Sequence, residues 1–115
     1  MPARRLNHGR EKVRDFLLTE TGMIAVGTDD SPPKETQTAL GNEVERNEAS
    51  AGRDGTGRLR HTMRLGTGDA NGEDIQEAAI VDENGDLDTR HTFADIAKTV
   101  DKEVEIQVIE EVVNP

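Results

Sequence analysis

Arg58-Leu59-Arg60-His61-Thr62-Met63-Arg64-Leu65 is the stretch that decides the fold class. Leu59, His61, Met63 and Leu65 alternate with Arg58, Arg60, Thr62 and Arg64, which is the period of a strand with one buried and one cationic face. The same period returns near the C-terminus, where Val104, Ile106 and Val108 alternate with Glu103, Glu105 and Gln107. That segment reads as a terminal strand with a negative outer face, extended by Ile109, Val112 and Val113.

Between and before these two lie weaker signals. Met23 to Gly27 is a short apolar run closed by glycine and followed by the turn formers Thr28 to Pro33, so it reads as strand then loop. Leu40 and Val44 do not decide between a helical turn and an extended segment over 36–46. Asn47 to Gly57 has almost no apolar content and is expected to be a surface loop, and Gly66 to Gly72 the next turn. Ile75, Ala78, Ile80 and Val81 form a weak strand that ends at Asp82-Glu83-Asn84-Gly85-Asp86. Asn84-Gly85 suits a type I′ hairpin, with Leu87 to Phe93 returning antiparallel. Upstream, Leu6, Val13, Phe16 and Leu17 share one helical face, predicting one amphipathic helix over 6–18 with Arg10, Lys12 and Arg14 on its polar side. The expectation is a mainly β chain: an N-terminal helix and arm over 1–22, then a small β-sandwich or barrel-like domain of about five strands over 23–115.

Composition bounds what such a domain does. At 115 residues the chain fits one domain, and with Phe16 and Phe93 as its only aromatic side chains its core must be aliphatic and thin. The absence of cysteine removes disulfides and thiolate metal sites, which leaves oligomerisation as the expected supplement. Asp and Glu number 24 against 14 Lys and Arg, a net charge of −10 that disfavours nucleic acid. Lys12, Lys34, Lys98 and Lys102 are the only lysines, and an acidic, lysine-poor surface suits high salt, where a Debye length of about 3 Å at 1 M screens carboxylate repulsion. No apolar run reaches the length of a secretory signal or a membrane span, so neither a membrane partner nor export is expected.

Chemistry-bearing groups are sparse. His61 and His91 fall on expected strands without acidic or cysteine partners at ligand spacing, so no metal site is expected. Asp82, Asn84, Asp86 and Asp88 have the alternate-oxygen spacing of a calcium loop, but Phe93 stands where the bidentate glutamate would be, and a polar hairpin tip explains the same residues. The Gly55-Thr56-Gly57 and Gly66-Thr67-Gly68 motifs lack the lysine of a phosphate loop, and no nucleophile arrangement is visible, so neither catalysis nor a cofactor is expected.

In order, Met23-Ile24-Ala25-Val26-Gly27-Thr28, Ser31-Pro32, Thr38-Ala39-Leu40-Gly41-Asn42-Glu43-Val44-Glu45-Arg46, Ile75-Gln76-Glu77-Ala78-Ala79-Ile80-Val81-Asp82, Gly85-Asp86-Leu87 and Arg90-His91-Thr92-Phe93, with Ile96 and Lys98 after them, form a series. It resembles small tail-fibre, baseplate and related virion proteins of tailed viruses, with Ala79 standing where that pattern has glycine. The resemblance implies a β-sandwich-like virion module without a cofactor, assembled in the host cytoplasm. With the acidic composition it implies a tailed virus of a haloarchaeon. Other virion proteins are the partners it implies, and a thin core with two faces of opposite charge could join copies of the chain in a ring or trimer. Candidate interface residues are Leu6, Val13, Phe16 and Leu17 on the helix, Ile109, Val112 and Val113 at the C-terminus, and Arg58, Arg60 and Arg64, which could meet Glu103 and Glu105 of a neighbour, the alternative being that both charged faces are merely solvated. Loops 47–57 and 66–74 are the candidate contacts of a capsid-decoration or receptor-binding module.

Overall fold

The computed structural model describes residues 14, 15, 21–55 and 57–111. The expected helix, with Leu6, Val13, Phe16 and Leu17, lies outside the described residues apart from Arg14 and Asp15, as do Val112 and Val113. Arg14 is buried rather than solvated. Its guanidinium donates to the Gly55 carbonyl at 2.8 Å, and Asp15 accepts from Arg53 at 3.0 and 3.2 Å.

The described residues form seven strands: β1 (Thr21–Gly27), β2 (Glu43–Glu48), β3 (Ser50–Arg53), β4 (Arg58–Leu65), β5 (Asp74–Asp82), β6 (His91–Ala97) and β7 (Val104–Glu111). They make two sheets, of order β2-β1-β5-β6 and β3-β4-β7, and every neighbouring pair is antiparallel. The mainly β expectation holds, with two more strands than expected. Both extra strands come from the stretch read as undecided or loop. β2 and β3 flank Ala49, where the chain leaves one sheet and enters the other, so residues 43–53 form an edge of both. A strand with the exposed side chains of Ser50 to Arg53 leaves no periodic signal, because what places it is the backbone ladder to β4.

A shared apolar cluster lies between the sheets. Ile24 and Val26 of β1 and Ile75, Ala78 and Ile80 of β5 meet Met63 and Leu65 of β4 and Ile106 and Val108 of β7. Full burial stabilises each such Leu, Ile or Met side chain by about 1.5–3 kcal/mol, and in this chain the aliphatics carry that term nearly alone. Phe93, the one aromatic side chain among the described residues, packs only partly buried against the cluster. The four-stranded sheet is covered on its other face as well. Ala25, Ala79 and Val81 pack with Leu40, brought over them by the long connection 28–42. Double coverage explains why Ala78 to Val81 are buried without alternation.

The chain turns from β5 toward β6 through Asp82 to Asp86. Gly85 N–H donates to the Asp82 carbonyl at 3.1 Å and Asp82 N–H to the Asp86 carbonyl at 2.9 Å. Positive φ occurs at Gly85 (86°) and not at Asn84. That is a type I turn closed by a glycine bulge, not the expected type I′ turn, which needs positive φ at both central residues. The return is also later than expected: Leu87 makes only an isolated bridge to Val81, and β6 begins at His91.

Candidate functional site

A buried glutamate of β5, Glu77, organises the most elaborate polar construction of the described residues. The register shifts between Ile75 and Glu77, so β5 changes parity there and Glu77 turns to the face under the 28–42 connection instead of the inter-sheet core. Its carboxylate is fully buried. Oε2 accepts from Asp29 N–H at 3.0 Å and Asn42 N–H at 2.9 Å, and Oε1 from Gly41 N–H at 2.9 Å and Arg90 Nε at 2.9 Å. Burial by itself pushes the Glu77 carboxyl up, but the N–H groups of Asn42, Asp29 and Gly41 and the Arg90 guanidinium outweigh it, and the group lies below the ordinary carboxylate range.

Arg90 completes the clasp. Its side chain is 4% exposed, and besides Glu77 it donates to the Ser31 carbonyl at 2.8 Å and the Asp29 carbonyl at 3.1 Å. One buried ion pair thus ties both ends of the 28–42 connection to β5. Two glycines make room for it. A Cβ on Gly27 would run into the Glu77 carboxylate and the Asn42 carbonyl, and one on Gly41 into the Asp29 side chain. Asp29 is itself fixed, accepting from the Ser31 N–H and hydroxyl, each at 2.9 Å; these bonds, with Arg90 nearby, hold it below its ordinary range. The base of the connection is rigid while its crest, Asp30 to Thr36, is exposed throughout.

Beside the crest, a cleft of about 350 Å³ lies between Pro33, Lys34 and Gln37 on one side and Leu87, Asp88 and Thr89 on the other. Asp88 is raised above the usual carboxylate range, by burial and by the neighbouring Glu110 charge.

The residues expected to form an interface are distributed differently. Arg58, Arg60 and Arg64 do project from the outer face of β4, but they are paired within the chain. Arg58 and Arg60 reach Asp54 at 3.4 and 3.0 Å, and Arg64 reaches Glu103 at 3.1 Å and Glu105 at 3.7 Å. β4 and β7 are neighbours, with Arg64 opposite Glu105, so the two charged strands satisfy one another across one ladder. Ile109 is 42% exposed on β7.

The candidate loops are tied down as well. Residues 50–53 are β3. In the 66–74 turn, Asp69 accepts from Gly66 N–H at 2.9 Å and Asn47 Nδ2 at 3.1 Å, while buried Lys98 donates to Asn71 Oδ1 and the Thr99 carbonyl, both at 2.9 Å. Asp82 Oδ1 accepts from the Asn84 and Asp86 N–H groups, so the expected oxygen-rich tip is a self-bonded turn. No group of three or more metal-ligating side chains is placed for a cation among the described residues. His61 on β4 and His91 on β6 belong to different sheets, so the strands that carry them do not pair.

Sequence reasoning missed the Glu77–Arg90 pair. Glu77 left one signal, as the only charge between Asp74 and Asp82 in a run with Ile75, Ala78, Ala79, Ile80 and Val81, whereas Arg90 stands among polar neighbours and left none. Neither protein-family models nor curated proteins give a match to this chain. The fold and the clasp together define a two-sheet antiparallel β domain that displays one long, anchored connection.

Proposed function

We propose that the chain is a non-catalytic β-sandwich module that works by protein–protein assembly, as a structural part of the tail, baseplate or fibre-attachment apparatus of a tailed-virus particle. The sequence resemblance supports the viral setting. The observation that carries the assembly reading is the 28–42 connection, whose base is pinned by the buried Glu77 and its ion pair with Arg90 and whose crest is exposed from Asp30 to Thr36. Connections of this length without strand or helix are commonly functional, and fixing one before it meets a partner reduces the ordering entropy lost on binding. Pro32 and Pro33 at the crest stiffen it further. The intrachain pairing of the β4 arginines moves the proposed contact from the charged faces to this crest, with exposed Ile109 as a second apolar candidate.

The same crest favours a second reading, a capsid-decoration or receptor-contacting module with the 28–42 connection, rather than the 47–57 or 66–74 segments, at its tip. A triple variant separates the two: Pro32→Gly, Pro33→Gly and Lys34→Ser together leave the clasp untouched. Self-assembly through the crest predicts loss of the oligomer, measured by light scattering, with the β circular-dichroism signal retained. An unchanged oligomer rules out the crest as the assembly contact and leaves it for a foreign partner.

A further inference from the structure

The inward alternation of three strands brings polar side chains together at one end of the inter-sheet space, where a core of this kind would continue with aliphatics. On β4, His61 stands in line with Leu59, Met63 and Leu65, and it is fully buried. On β7, Glu110 follows Ile106 and Val108 on the same side, its side chain 17% exposed. On β6, His91 precedes Phe93 by two residues and is half-buried. His61 Nε2 and Glu110 Oε2 share a hydrogen bond of 3.1 Å, closing the three-stranded sheet's side of the junction. His61 Nδ1 has no hydrogen-bond partner among the described residues. From the four-stranded sheet, His91 Nε2 meets Thr89 Oγ1 at 3.0 Å, and that same oxygen accepts from Ile80 N–H at 3.4 Å.

We propose that this junction is an acid-sensitive latch: protonation of His91 beside buried His61 releases β6 and the 83–90 connection from the three-stranded sheet. The charged and titratable groups facing the junction are His61 from β4, Glu110 from β7, Asp82 from the end of β5, Asp88 from the connection and His91 itself. Their balance sets the direction. Burial pushes His91 down from its ordinary value of 6.5, Glu110 opposes that, and His61 adds to it. A proton on His91 therefore favours the open state, and the latch loosens as pH falls below about 6.5. Glu110 does not relieve it by taking up the proton first, because its hydrogen bond to His61 outweighs its burial and holds it below its ordinary 4.5. Asp88 runs the other way: raised from 3.8, it takes up a proton as acidification proceeds, which relieves its repulsion with Glu110. The 83–90 connection carries Asp88, Thr89 and Arg90, so release also reaches the cleft and the clasp that hold the 28–42 crest. The inference concerns the isolated chain and stands whether or not the crest is an assembly contact.

Amide exchange read by NMR as protection factors tests it, because that normalisation removes the intrinsic pH dependence of exchange. Between pH 7 and pH 5 the β6 amides that donate to β5 are expected to lose protection, about tenfold for each unit by which His91 lies below its ordinary value, while those of Ile24 and Val26 hold. His91→Gln keeps a polar partner for Thr89 and removes the proton site, and is expected to abolish the loss. Loss of β6 protection that persists in His91→Gln overturns the latch. Ring titration of His91 in the unaltered chain needs no variant. A midpoint below the ordinary value, with the β6 loss setting in below about pH 6.5 and levelling off at that midpoint, supports the latch, and titration at the ordinary value, or without any change in β6, overturns it.

Discussion

Replacing Glu77 by glutamine keeps the shape of the buried side chain and removes its charge, which makes it the cleanest test of the clasp. Each carboxylate oxygen accepts two bonds: Oε1 from Gly41 N–H and Arg90 Nε, Oε2 from Asp29 and Asn42 N–H. Whichever end the amide nitrogen occupies, two buried donors lose their acceptor and face another donor. An orphaned buried donor costs about 1–3 kcal/mol. Arg90, 4% exposed, is left with only the Asp29 carboxylate, at 3.8 Å, to balance its charge. The sum falls in the range for breaking a buried pair, about 3–5 kcal/mol. That is a large share of the roughly 5–15 kcal/mol that holds a domain of this kind together. Urea unfolding is the assay, and with a slope of about 2 kcal/mol/M the midpoint should fall by roughly 2 M. A fall under about 0.5 M would show that the clasp does not hold the connection, and the argument for a pinned crest would go with it.

The remaining expectations use the same structure. Gly27→Ala places a methyl against Glu77 and the Asn42 carbonyl and should lower stability by about 1–3 kcal/mol, whereas Gly52→Ala on β3, where a Cβ meets nothing within 4 Å, should stay within about 0.5 kcal/mol; paired thermal melts compare them. Arg64→Ala removes only exposed cross-strand pairs and should cost less than about 1 kcal/mol, and still less in molar salt, by denaturant titration at two ionic strengths. Glu77 and Glu110 both lie below their ordinary 4.5, so each contributes stability above that value which is lost as pH falls through its folded one. Unfolding midpoints measured from pH 6 to pH 3 should therefore drop below about pH 4.5, and Glu77→Gln should flatten part of that drop.

The strands that sequence alone located best are those with one dry and one wet face. β4 alternates buried and exposed side chains from Arg58 to Leu65, and Ile106 and Val108 are buried on β7 between exposed neighbours. Alternation fails where both faces are covered, as over Ala78 to Val81, or where neither is, as on β3. It also breaks at the register shift between Ile75 and Glu77, on a strand that reads as weak yet lies inside the sheet, bonded to both β1 and β6. Apart from the lone charge of Glu77, the clasp was illegible for a different reason. Its acceptor sits on β5, its cation at the start of β6, and three of its donors are backbone N–H groups, which carry no residue-type signature. Likewise the arginine face of β4 reads as a surface awaiting a partner until the topology places Glu103 and Glu105 alongside it.

Assembly is the central claim, and mass in solution tests it most directly. Light scattering on the purified chain in about 2–3 M salt and again in dilute buffer spans the range over which carboxylate repulsion goes from screened to full. The account predicts a discrete oligomer in high salt that dissociates or unfolds on dilution of the salt. A stable, folded monomer under both conditions would contradict self-assembly and the salt argument together.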